Sequence, residues 1–415
     1  MLTRPRLLLS SLSIAIAIAA VSLAAQKAGA RVPTSITMIA SPAAAGGAQP
    51  QLSVSTKGIL LSWVERTGQR ATLKFSERTA MGWTAAKVVA SGEDWFVNWA
   101  DVPSVLRLSD GTLAAHWLQK SGPGTYAYDV RLSYSTDDGK TWSASFLPHS
   151  DGTKTEHGFV SLLEMPNAGL GLVWLDGRTT MGGHDSPDGH GGGAMTLRFG
   201  AFDKKWKQTA DVLIDPRVCD CCPTATAVTS EGVIAAFRNR SDTEIRDIYV
   251  SRLVNGKWTE PAAVHADNWQ IDGCPVNGPA LAARGRDVAV AWFTTKDNQG
   301  QSYAAFSKDA GRTFGAPIRL DATGSLGRVD VTLLADGDAL ATWIEYSAQK
   351  AEFRARRVAP NGAVSPPITI AEISSARTSG YPRMALHNNA LTYAWIESVN
   401  GVTAIKTGTS AIPAR

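Results

Sequence analysis

The sequence predicts an all-β protein built as a β-propeller of four-stranded blades, seven in number, with six as the alternative count. Two observations carry this. One strand–turn–strand pattern recurs at roughly fifty-residue spacing, within the range of propeller blades. A second, shorter turn motif follows several of those hairpins. The chain has 415 residues, which length alone would divide into two or three domains, but the repeats make one domain of residues 31–415.

The segment 1–30, "MLTRPRLLLSSLSIAIAIAAVSLAAQKAGA", comes first. Arg4 and Arg6 precede an apolar run, and Ala28-Gly29-Ala30 supplies a small-x-small cleavage signal, the layout of a secretory signal peptide. The expected location is periplasmic or secreted, with no membrane span after signal removal. Residues 1–30 hold three of the 41 basic residues and none of the 37 acids, so the mature chain carries a net charge of only about +1. Nucleic acid is thereby disfavoured as a partner. The oligomeric state is left open.

The hairpins are "QLSVSTKGILLSWVE" (51–65), "SVLRLSDGTLAAHWL" (104–118), "FVSLLEMPNAGLGLVWLD" (159–176), "ATAVTSEGVIAAFRN" (225–239), "PALAARGRDVAVAWF" (279–293), "VDVTLLADGDALATWIE" (329–345) and "RMALHNNALTYAWIE" (383–397). Each alternates with period two and turns at Gly or Asn before a run centred on Trp or Phe. The seventh is followed by "TAIKTGTS" (403–410), which leaves its blade one strand short. Residues 34–40, "TSITMIA", are expected to fill that place and close the ring, removing an open edge.

The second motif is S-x-D-x-G-x-T-[WF], met at "STDDGKTW" (135–142) and "SKDAGRTF" (307–314), with weaker relatives "VNGKW" (254–258) and "FDKKW" (202–206). Ser and Asp bond turn amides, Gly takes a positive φ, and the aromatic fills the gap between sheets. These turns resemble the Asp-boxes of the sialidase superfamily and related BNR-repeat proteins. The resemblance extends as a repeat pattern over nearly the whole mature chain and implies the propeller fold. It also implies an exo-glycosidase or a binder of an anionic glycan.

Strand alternation puts the boxes on one face and the long loops and blade-to-blade links on the other. At that second rim, family sialidases grip a carboxylate with three arginines and use Tyr with Glu, and Asp as acid/base. By position alone the corresponding candidates are Asp101, Arg178, Arg240, Arg328 and Tyr381, with Arg238, Arg246, Glu156 and Glu244 nearby. The family's Arg-Ile-Pro-type segment is absent, so no role is carried over by motif. Trp95, Phe96 and Trp99 are read either as a sugar platform or as a plug between blades.

The same rim collects the sulfur. "VCDCCP" and "DGCP" place Cys219, Cys221, Cys222 and Cys274 in links of adjacent blades, with Cys222-Pro223 and Cys274-Pro275 expected at equivalent positions. Two readings stand. In an exported chain the cysteines form disulfides. Alternatively they join His157, and His184 or His190 from the Gly-rich loop 176–195, in a site for copper or zinc. A third function class, an interaction scaffold stapled by disulfides, needs no ligand. The expected partner is an anionic glycan or a metal ion, with no cofactor certain.

Overall fold

The computed structural model describes residues 32, 35–165, 169–180, 193–296 and 298–412. They form seven antiparallel sheets arranged as a seven-bladed propeller. The inner strands, in chain order, are Ala48–Ser55, Ser104–Arg107, His157–Glu164, Ala225–Thr229, Ala280–Arg284, Ser325–Leu333 and Arg383–His387. Each pairs with the strand that follows it through the predicted turn.

The second strands carry the mark of the repeat. Trp63, Trp117, Trp174, Phe237, Trp292, Trp343 and Trp395 occupy matching positions and are all buried. In several blades the indole N–H donates to the acid two residues on: Trp63 to Glu65 (2.7 Å), Trp174 to Asp176 (2.8 Å) and Trp395 to Glu397 (3.2 Å). A buried indole needs such a partner. Trp-x-acid is thus a blade signature that the hairpin pattern alone did not expose.

Closure follows the expectation from the sequence. Thr37–Ile39 adds to the last blade outside Val402–Ala411, with Thr37 opposite Thr409 and Ile39 opposite Thr407. The uniform four-stranded blade needs correction, since the sheets of blades one and four have five strands each. Blade two has three strands, Ser104–Arg107, Leu113–Lys120 and Tyr128–Ser135, and Phe146 alone bridges back to Leu132. Pro148 follows two residues later and has no N–H to continue the ladder, so the chain turns away and brings His149 inward.

Both boxes form as expected. Gly139 N–H donates to Ser135 Oγ, and Asp137 accepts from the N–H and hydroxyl of Thr141; Gly311, Ser307, Asp309 and Thr313 repeat the arrangement. The glycines do more than tolerate φ of +78° and +82°. A Cβ on Gly139 would stand 2.6 Å from Phe75 of blade one, and one on Gly311 would stand 2.2 Å from Ile234 of blade four. The boxes therefore key neighbouring blades together. Asp138 meets Lys57 and Arg107 of the adjoining hairpins, which fixes the box face.

Candidate functional site

A channel of about 300 Å³ runs between the inner strands, lined among others by Ser53, Leu106, Thr226, Leu281, Asp330 and Arg383. On the face away from the boxes it ends at Ala100, Phe159, Pro223 and Tyr381. The sulfur lies here. Cys219, Cys221 and Cys222 are packed in one core cluster with Ala100, Phe159 and Tyr381, and all three are buried.

The link 216–224 folds this way because strand-end bonds hold both its sides. Val218 N–H donates to Met195 O, and Cys219 N–H donates to Arg238 O. The Sγ of Cys219 is 3.2 Å from that of Cys222 and 3.8 Å from that of Cys221. No disulfide joins them; all four cysteines are free thiols, with Cys274 the exposed one. The expected equivalence is also corrected. Ala225 pairs with Ala236 and Ala280 with Ala291, each just before its blade's aromatic. Counted back from those strands, it is Cys219, not Cys222, that matches Cys274. The links run side by side, close enough that a Cβ on Gly278 would overlap Pro223 O.

The electrostatics single out one sulfur. Burial opposes ionisation, yet the Cys221 and Cys222 thiols and the Arg246 guanidinium, 3.4 Å away, hold the Cys219 thiol well below its ordinary range. Burial and the neighbouring sulfur push Cys221 and Cys222 up. Cys221 draws the Cys274 thiol down. The cluster is therefore poised around one thiolate, the form that binds metal.

The arginines at this rim are engaged. Arg178 makes a fork to Asp176 (2.7 Å on both arms). Arg238 donates to the carbonyls of Asn277 and Phe293 while lying over Trp269. Arg240 bonds Glu244 at 2.9 Å and Asp220 at 3.3 Å, and Arg246 bonds Glu244 at 2.7 Å. Arg328 donates to Ser379 Oγ and Gly380 O above the Trp99 ring. Tyr381 is buried and donates to Val276 O at 2.6 Å. The aromatic run is a plug: Trp95 stacks on Trp117, Phe96 on Tyr128 and Trp99 on Tyr381.

Asp101 takes part in a buried chain that includes a residue the sequence reading passed over. Tyr128 Oη lies 3.1 Å from Asp101 Oδ2 and 2.7 Å from Glu156 Oε1, and Asp101 Oδ1 accepts the Phe159 N–H. A phenol has one proton and cannot donate to both carboxyls, so one of them must be protonated. Burial pushes Asp101 up to about 7, against the bonds from Phe159 and Tyr128. Burial raises Glu156 well above the carboxylate range as well, with Asp101, Asp220 and Cys274 adding to the effect. Tyr128 was hidden because it opens a strand of unremarkable alternation.

His157 is a correction to the expected sulfur–imidazole site. Its ring does not join the cysteines; it meets Asp151, Asp176, Asp129 and His149 at the start of blade three. His184 and His190 lie outside the described residues.

No family model matches the chain, and no curated protein matches it. Solved structures do resemble it. A protein of unknown function from Dyadobacter fermentans DSM 18053 has TM-score 0.54 at 17% identity, covering 92% of this chain and 99% of that one. The polysaccharide lyase Uly1 has TM-score 0.52 at 10% identity, covering 87% and 89%. The NanB sialidase from Streptococcus pneumoniae has TM-score 0.45 at 10% identity, covering 85% and 83%. At these identities what is shared is the fold, a β-propeller.

Proposed function

We infer that the chain is an exported protein that binds a soft metal ion, copper(I) before zinc, through Cys219, Cys221 and Cys222, with Cys274 beside them. The carrying observation is the convergence of three buried free sulfurs, 3.2 and 3.8 Å apart about Cys219. A tetrahedral zinc at about 2.3 Å from each sulfur requires S···S separations of about 3.8 Å. A thiolate set without imidazole suits copper(I) at least as well. Arg246 supports the reading, since it stabilises the Cys219 thiolate that the metal needs.

The test is an anaerobic copper(I) titration of the full chain against a chromogenic chelator, with free-thiol counting. One equivalent should bind, and Cys219→Ser and Cys222→Ser should each abolish it. Two disulfides and no uptake by the reduced protein would end the proposal.

A second reading is favoured by the Asp101–Tyr128–Glu156 chain: a glycan-cleaving propeller in which Tyr128 and Glu156 act as the nucleophile and its polarising carboxylate. It draws on the sialidase resemblance and on the likeness to a polysaccharide lyase. Turnover of a sialoside or a uronate-containing polysaccharide, lost in Tyr128→Phe, would support it. No turnover of either substrate would exclude it.

A further inference from the structure

A second group of buried ligating side chains stands apart from the sulfur. His157 opens the inner strand of blade three and pairs in register with Asp176 at the end of the next strand. Asp151 and His149 come from the link that replaces blade two's missing strand. His157 Nε2 lies 3.3 Å from Asp151 Oδ2 and 3.8 Å from Asp176 Oδ1, and the residue is 0% exposed.

The tautomer follows from the surroundings. His157 Nδ1 faces the carbonyl oxygens of Thr155 (3.2 Å) and Tyr128 (3.4 Å), with Asp129 Oδ1 at 3.6 Å. Acceptors alone surround it, so Nδ1 carries hydrogen, and Nε2 is aimed between two carboxylates, where a cation can take the place of a proton. Nε2 makes no hydrogen bond, and neither do Asp129 Oδ1 and His149 Nε2.

Charge gives the same direction. Asp129, Asp151 and Asp176 are largely buried, with side-chain exposures of 14, 8 and 0%. Among the described residues Arg178 is the one guanidinium that meets them, leaving about two negative charges with both imidazoles neutral. The rings of His149 and His157 stack 3.9 Å apart and nearly parallel. Two imidazoliums face to face at that distance would repel, so protons offset at most part of the deficit. The stacking also means that a cation in the plane of one ring cannot be in the plane of the other, so one imidazole is the ligand and the other a support.

We propose that His157 Nε2, Asp151 and Asp176 form a divalent cation site, distinct from the sulfur cluster, for an ion of mixed nitrogen–oxygen preference such as Mn²⁺ or Zn²⁺. Ligands at about 2.0–2.2 Å from one ion stand roughly 3.0–3.6 Å apart, close to the separations seen. The outer contacts are those that orient metal carboxylates. Asp151 is held by His149 Nδ1 (2.8 Å) and the Thr153 N–H (2.9 Å), and Asp176 by the Trp174 indole (2.8 Å) and Arg178.

Mn²⁺ is the discriminating probe, because thiolates are poor ligands for it. Electron paramagnetic resonance should show one Mn²⁺ bound per full-length wild-type chain, and the same in a variant with all four cysteines replaced by serine. His157→Ala and the milder Asp151→Asn should each weaken binding by at least about tenfold, with circular dichroism unchanged. Zn²⁺ calorimetry on the cysteine-free variant should give the same ranking. Absence of uptake, or uptake that His157→Ala and Asp151→Asn leave unaltered, would overturn the site. So would a neutral-pH nuclear magnetic resonance spectrum showing His157 protonated on both nitrogens with Mn²⁺ present.

Discussion

Replacing Asp101 with asparagine should make the protein markedly less sensitive to rising pH. Asp101 is fully buried; burial lifts its carboxyl from an ordinary 3.8 to about 7. Below pH 4 the carboxyl is protonated in both folded and unfolded chains and has no effect on their balance. Between pH 4 and 7 the unfolded chain releases this proton while the folded chain keeps it, so stability falls as pH rises; above 7 both release it and the curve flattens. The whole window amounts to about 4 kcal/mol, and the portion between pH 5 and 8 to roughly 2–3 kcal/mol. The amide of asparagine can still accept the Phe159 N–H, which Asp101 takes at 2.8 Å. Urea unfolding of the reduced wild type and of Asp101→Asn at pH 5 and pH 8 measures the difference. The wild type should lose that amount more than the variant over the interval. Parallel losses would refute the argument that the folded chain stores a proton on Asp101.

Further expectations concern the frame and the sulfur. Gly139→Ala and Gly311→Ala, which drive a methyl against Phe75 and Ile234, should each cost about 1–3 kcal/mol in thermal or urea unfolding. Deleting residues 32–40 removes the strand paired with Val402–Ala411 and should lower the melting temperature by at least several degrees, with the exposed edge promoting association in light scattering. Arg246→Met removes the guanidinium that stabilises the Cys219 thiolate. The sign is definite: the thiol's pKa rises, so the pH at which half the copper(I) is retained should move upward in a competition titration.

The fold was legible because its signals are local. Hairpin turns, buried aromatics and boxes each lie within fifteen or so residues, and together they define seven sheets and the strand that closes them. The face bearing the cysteines was legible too, since strand alternation decides it. The partners were not. His157 is drawn from the sulfur by Asp129, Asp151 and Asp176, residues that come together only because blade two lacks its fourth strand. Arg238 and Arg328 look like ligand-gripping cations in sequence, but the structure gives them to backbone carbonyls of neighbouring blades. The match of Cys219 with Cys274 depends on strand register, which the Cys-Pro dipeptides obscured.

X-ray absorption at the copper edge of copper(I)-loaded full-length protein tests the soft-metal reading most directly. The account predicts a first shell of three sulfurs at about 2.2–2.3 Å, collapsing in Cys219→Ser. A shell made of nitrogen and oxygen, or a spectrum indifferent to that substitution, would contradict it.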